Sequence, residues 1–250
     1  MRSPLEQFEI IPLLPLRLGS LDLSVTNTSL MMLRTASIIR GLSQAIRVSG
    51  NGTLVPSRWQ VLLEGTHNMI LTMLGQTMGP QGASLFPFVF AVFTFILGCN
   101  RFGLVPYSFT VTSHLVVTMT LALAIWIGKL LMGFRLHGLT FFRMFLPTGT
   151  PFVMIPFMVP LEVMGFTITF ASLSIRLFAN MMAGHILLKV IAGFAWTMMV
   201  AGGAMWVAHF VPRAVLMFLL GLETAVAFIQ AYVFTLRTCI YISDSMHGGH

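Results

Sequence analysis

Charge is what this sequence lacks. Only 8% of its 250 residues are charged, and seven of them are Asp or Glu, against about 25% charged residues in a soluble domain. With 56% hydrophobic residues, the composition is that of an integral membrane protein of several helices. No stretch alternates apolar and polar residues over about ten positions, which excludes a membrane β-barrel. Cysteine is scarce as well: Cys99 and Cys239 both lie in apolar segments, and two isolated thiols make neither a disulfide framework nor a zinc site. There is no G-x-x-x-x-G-K-[ST] loop, so no phosphoryl chemistry is expected. The chain opens with Pro4, Glu6, Glu9, Pro12 and Pro15 rather than a basic segment ahead of an apolar core, which predicts no cleavable signal.

A net charge of +7 points to nucleic acid in a soluble chain. Here the basic residues sit near the ends of apolar runs, as membrane topology requires, and no nucleic-acid partner is expected. Residues 1–28 read as an irregular lead. Residues 29–46 are long enough to span a bilayer, but Arg34 and Arg40 make them a poor span. Gly50, Gly52 and Pro56 break the chain. Residues 59–74 read as an amphipathic interfacial helix with Trp59, Leu62, Met69 and Met73 toward one side. Residues 86–104 and 114–134 are clear spans, the second with Lys129 close enough to its end to snorkel. Four prolines, from Pro147 to Pro160, exclude a regular helix interior there.

Two long helical segments follow, 161–202 and 213–243. At 1.5 Å per residue the first is roughly 60 Å long, about twice a hydrocarbon core. It therefore has to be bent or steeply tilted, with Gly184, Gly193, Gly202 and Gly203 as candidate bends. The fold class is all-α: five to six helices, one of them interfacial, and a membrane-embedded hairpin of two long, tilted, antiparallel helices. The basic residues Arg47, Arg58, Lys129, Arg135 and Arg143 mark the inner side. On that assignment the N-terminus is outside, Glu162 and Asp244 lie near the inner surface, and His185 and Glu223 lie nearer the outer one.

The functional signal is an arginine in the middle of an apolar helix. From Leu161 to Met205 the only charged residues are Glu162, Arg176 and Lys189, and an ionisable group at bilayer depth costs at least ~2.5 kcal/mol. Asn180 lies one turn beyond Arg176 on the same face. On the second long helix Glu223, Ala227, Gln230, Arg237 and Tyr241 form one seam. With the helices antiparallel and Gln230 opposite Arg176, one central cation has a polar cluster on either side, His185/Glu223 outward and Glu162/Asp244 inward. A carboxylate and an imidazole can hand protons over near neutral pH. An arginine never releases its proton, so between two crevices it blocks direct hopping and favours the ionised form of a carboxyl brought to it. The chain offers no such moving carboxylate, so a partner subunit has to supply it. Blander roles stand beside these: His185 and Gln230 as interhelical hydrogen-bonding residues, Glu162 as a first-turn acid, Asp244 as a solvated one.

The stretches ASLSIRLFANMMAGH, GLETAVAFIQAYVFTL, NRFGLVPYSFTVTSH and SPLEQFEI resemble subunit a of the F-type rotary ATP synthase, in its mitochondrial and alphaproteobacterial form. The resemblance covers nearly the whole chain. It implies a proton-translocating stator subunit with two offset half-channels, set against a ring of c subunits and beside other membrane-sector subunits. By it, Arg176 is the stator arginine facing the ring, with Asn180 and Gln230 as its polar neighbours. His185 and Glu223 form the outer access pair, and Glu162 and Asp244 belong to the inner exit. It implies no catalysis by the chain alone, no cofactor, and a multi-pass place in the mitochondrial inner membrane or, alternatively, an alphaproteobacterial plasma membrane. Arg34, Arg40 and Arg237 depart from the family's apolar pattern; either protein covers them or the mature residues differ through RNA editing or a reassigned codon. His247 and His250 are too few to claim a metal. Two rival classes are a self-contained proton-coupled secondary transporter, which predicts inverted repeats that are not visible, and a structural scaffold of a respiratory complex.

Overall fold

The computed structural model describes residues 9–15, 17–18, 21–22, 24–49, 57–105, 109–138 and 154–247. The predicted break at Gly50–Pro56, together with Pro147, Pro151 and His250, lies outside them. Seven helices dominate: α1 (Asn27–Ser49), α2 (Arg58–Met78), α3 (Phe86–Gly103), α4 (Leu115–His137), α5 (Ile155–Ala201), α6 (Ala204–Ala208) and α7 (Phe210–His247). The lead is less irregular than expected. Pro12–Leu14 pairs antiparallel with Val25–Thr26, and Arg17–Leu18 with Leu21–Asp22.

Four helical segments are long and apolar enough to cross a membrane: Gly82–Gly103, Leu115–His137, Ile155–Ala201 and Ala204–Met246. The chain is a multi-pass membrane protein. Helix α1 is not among the four, and both Arg34 and Arg40 are exposed on it. Leaving α1 out does not change the relation of Arg58 to Arg135, because the two spans α3 and α4 lie between them either way.

Helix α2 starts at Ser57, whose hydroxyl accepts from the backbone N–H of Gln60, and ends at Gly79 with φ +64°. Such a φ is costly for any residue with a Cβ. Its buried residues are Ile70, Met73, Leu74 and Met78, on one helical face. Trp59 and Leu62, expected on that side, are 62% exposed. Only the C-terminal half of α2 packs inward, and its N-terminal half keeps an apolar face open.

The described residues pack as two compact units. One draws on residues within 1–42, 95–114 and 177–231, the other on 43–94, 115–176 and 232–250. In the second unit α4 buries Thr118, Ala122, Ile125, Lys129 and Gly133, a stripe at helical spacing. The Ser174 hydroxyl donates to Thr118 Oγ1 at 3.1 Å, and Trp126 meets Phe170 at 5.4 Å between ring centroids. As the number rises along α4 it falls along α5, so these two helices are antiparallel. Lys129 over Tyr241 and His137 on the Ser245 carbonyl run in the same order, which makes α4 and α7 parallel. The Ser243 hydroxyl ties α7 to the end of α2 through the Thr77 carbonyl.

Lys129 does not snorkel. It is 5% exposed, with its ammonium 4.9 Å from the Tyr241 ring centre and Asp244 as an electrostatic partner. An aromatic face and a carboxylate together replace part of the lost hydration.

In the first unit α1 crosses α3 at Gly98, where a Cβ would meet Ile39 at 2.7 Å and Thr35 at 3.0 Å. Helix α5 runs 47 residues without interruption. Pro160 lies inside it, against the expectation that the proline-rich stretch ends before the helix begins. Pro156 sits in the first turn, where no intrahelical donor is needed. Pro160 then forfeits a single hydrogen bond near the N-terminal end, which the remaining turns outlast. The helix stops at Gly202 and Gly203, with φ +69° and +60°, and the chain turns back into α6 and α7.

The α4–α5 contact is checked by a double substitution. Thr118→Cys with Ser174→Cys, whose native oxygens lie 3.1 Å apart, should form an intrachain disulfide on mild oxidation, read as a mobility shift that neither single variant shows.

Candidate functional site

Helix α5 carries Arg176 and Asn180 one turn apart. Ile168, Ser172, Ile175, Arg176, Ala179, Ala183, Leu187 and Val190 are exposed, and their spacing makes one stripe along the helix. On the other side Leu173, Leu177 and Met181 are buried. Arg176 therefore stands on an exposed face of α5 that the described residues leave uncovered, among small and aliphatic side chains.

His185 and Glu223 meet between α5 and α7 in the first unit. Nδ1 of His185 lies 3.9 Å from Oε1 of Glu223, and the two side chains are only 12% and 7% exposed. That distance is beyond a direct hydrogen bond. A small rotation or one bridging group brings it within proton-transfer reach. Both Glu223 carboxyl oxygens are buried without a hydrogen bond among the described residues. Such a group has a large desolvation cost and marks a place where protonation state matters.

Gly184 makes this arrangement possible. A Cβ there would lie 2.5 Å from Glu223 Oε1 and 2.8 Å from its carboxyl carbon. Sequence reasoning offered Gly184 only as a candidate bend; in the structure the glycine is a notch for the carboxyl group. The same reasoning missed two neighbours. Thr110 Oγ1 lies 2.9 Å from His185 Nε2, and Asn100, fully buried, donates to the Ala227 carbonyl at 3.3 Å. Both fall in the NRFGLVPYSFTVTSH stretch, which carries the family resemblance but no residue with an obvious charge-based role.

Other candidates are placed differently. Gln230 and Asn180 are half-buried, and Glu162 and Asp244 are exposed. No hydrogen bond or ion pair joins Glu162 to Asp244 among the described residues; Asp244 is coupled to Lys129 instead. No group of three or more His, Cys, Asp or Glu is placed to hold a metal among the described residues.

Residues 29–243 match the family model described as ATP synthase A chain. The chain belongs to this family. It is similar to ATP synthase subunit a of Chondrus crispus, 46% identical over 242 residues covering 97% of this chain and 95% of that one. The Marchantia polymorpha subunit a is 45% identical over 250 residues, 98% of each chain. The subunit a of Parvibaculum lavamentivorans is 44% identical over 248 residues, 99% of this chain and 95% of that one. Membership in the ATP synthase A chain family makes this a proton-translocating subunit of the membrane sector, not a catalytic one.

The notch at position 184 yields a test. Gly184→Ala should push the Glu223 carboxyl off its place beside His185. An off-rotamer side chain costs about 1 kcal/mol, so proton flux in vesicles carrying the assembled complex should fall roughly fivefold with assembly intact.

Proposed function

We propose that this chain conducts protons along two offset half-paths separated by Arg176, and that a ring of c subunits carries the proton between them. The observation that supports this most is the Glu223–His185 pair. Among the residues whose burial is described, Glu223 is the one buried acid, and its oxygens are left open beside an imidazole. In a proton-translocating subunit such a pair takes up a proton at the carboxyl, shares it with the ring nitrogen and passes it on.

Arg176 supports the second element of the reading. It lies on the exposed stripe of α5, where its charge would be solvated by a partner surface rather than by lipid. A carboxylate on that partner, arriving protonated, meets a fixed positive charge and ionises. Its proton leaves by the inner side past Glu162 and Asp244. The guanidinium keeps its own protons throughout, so it cannot serve as a stepping stone. Asn180, one turn beyond it on the same helix, supplies a hydrogen-bonding side chain. The small Ser172, Ala179 and Ala183 on the same stripe let a neighbouring helix approach closely.

The basic residues Arg58 and Arg135 place the start of α5 on the inner side, so that His185 and Glu223 serve the outer compartment. We place the chain in the mitochondrial inner membrane, as the family resemblance implies. Other stator and membrane-sector subunits cover the remaining exposed apolar surface, including α1 with Arg34 and Arg40.

Arg176→Ala should abolish ATP-coupled proton pumping in vesicles that retain the assembled complex; surviving coupled pumping would falsify the gate. Flux measured with and without ring subunits separates the classes. Dependence on the ring is the expected outcome. Flux by this chain alone would mean a self-contained transporter, and flux indifferent to the chain would mean a scaffold.

A further inference from the structure

We propose that Thr110 is a positioning residue for the His185–Glu223 pair: its hydroxyl selects the Nε2–H tautomer of His185 and so turns a bare Nδ1 toward Glu223. The inference rests on the proton-relay reading above and adds to it the atom on which the proton lands.

The argument is one of hydrogen counting. A threonine hydroxyl has one hydrogen and two lone pairs. Thr110 Oγ1 donates to the Gly103 carbonyl at 3.3 Å and lies 2.9 Å from His185 Nε2. Gly103 closes α3, and the last carbonyls of a helix have no intrahelical donor. Gly103 is also buried, so turning the hydroxyl hydrogen to the imidazole would take from a buried carbonyl its one donor among the described residues, which is costly. With that hydrogen committed, Oγ1 can only accept, and Nε2 of His185 has to carry the proton. A neutral imidazole has one N–H, so Nδ1 is the bare nitrogen. Nδ1 is the atom that faces Glu223 Oε1 at 3.9 Å.

The threonine is itself held in place. A Cβ at Gly103 would lie 2.7 Å from Thr110 Cγ2 and 3.1 Å from its Oγ1, so the glycine is the floor against which the side chain seats. Thr110 is 4% exposed, and Thr110 C=O takes the Ser113 hydroxyl at 2.6 Å, which fixes the backbone of the following turn. The transfer then balances without any further group. The proton leaves the Glu223 carboxyl oxygen for the Nδ1 lone pair, giving carboxylate and imidazolium, while the Nε2–H stays on Thr110. The Nδ1 proton then passes back to the Glu223 carboxylate or on to a water beside the pair, while the bond to Thr110 keeps Nε2–H in place, so Nδ1 is emptied for the next proton. In the opposite tautomer Nδ1–H would face Glu223 with no lone pair to accept its proton.

The test is a double-substitution cycle in vesicles carrying the complete complex. Thr110→Ser keeps the hydroxyl and should hold proton flux within about twofold of the native complex. Thr110→Val keeps the shape without the hydroxyl and should lower flux about tenfold, the scale on which groups that orient a functional imidazole act. In a His185→Ala background, Thr110→Val should change nothing further. Native flux in Thr110→Val, a Ser variant as poor as Val, or an additional loss in the His185→Ala background would each overturn the role. Native flux in His185→Ala alone would remove the relay itself and this inference with it. A second measurement needs no change at position 110. The nitrogen-15 spectrum of histidine-labelled complex, minus that of His185→Ala, should show a protonated Nε2 and a bare Nδ1; the reverse pattern would contradict the assignment.

Discussion

An ionisable side chain in an apolar helix needs something other than lipid to solvate it, and the placement of charge along α4, α5 and α7 follows from that requirement. Three solutions stand side by side. Lys129 is buried over the Tyr241 ring with Asp244 nearby, so its charge is compensated within the chain. Glu223 is buried beside an imidazole with its oxygens open, a compensation that depends on where the proton is. Arg176 is exposed on a stripe of small and aliphatic residues, and the described residues provide no cover for it. The first solution is structural. The second is the arrangement that the proposed proton exchange would use, and the third is the one that the proposed partner surface would complete.

The difference between Lys129 and Arg176 separates structural from functional charge more sharply than their sequence positions do. Both are cations in spans, and both could have been bundle ties. Lysine, a compact ion on a flexible stem, was satisfied by an aromatic face and a carboxylate on α7. Arginine has five donors in a rigid fork, and here it is turned outward rather than inward. A helix-bundle tie turned outward ties nothing within its own bundle. Its outward position is the one that the proposed contact with a partner's carboxylate would use.

Much of this was legible in the residues, and the parts that were not share one cause. The apolar runs of α3, α4, α5 and α7 announce themselves, because long segments so poor in charge have few alternatives. The pairing of His185 with Glu223 followed from antiparallel helices folded back at a glycine turn. Helix α2 was placed with its apolar side, but periodicity gives a face and not how much of it other helices cover, here Ile70, Met73, Leu74 and Met78. Pro160 was read as a helix breaker, which holds for a helix interior but not close to an N-terminal end already opened by Pro156. Gly184 was read only as a candidate bend, and Thr110 was not read at all. Both act through close contact with a residue distant in the sequence, Glu223 in one case and His185 in the other. A small uncharged residue acquires such a role only from its neighbours, and no spacing rule within one segment reveals them.

The length of α5 carries the last step. Forty-seven residues at 1.5 Å each extend to about 70 Å, while a bilayer with its headgroups is about 45 Å thick. The helix outruns the bilayer, so keeping its aliphatic side chains out of water requires that it bend or incline. Either way it exposes a long flank within the hydrocarbon layer rather than a short one. Along that flank Arg176 has more than ten residues of α5 on either side, which separates it from both ends of the helix. That separation is what a barrier between two compartments needs. On the reading proposed above, access from either surface would reach only one end of the helix, with the charge of Arg176 between the two.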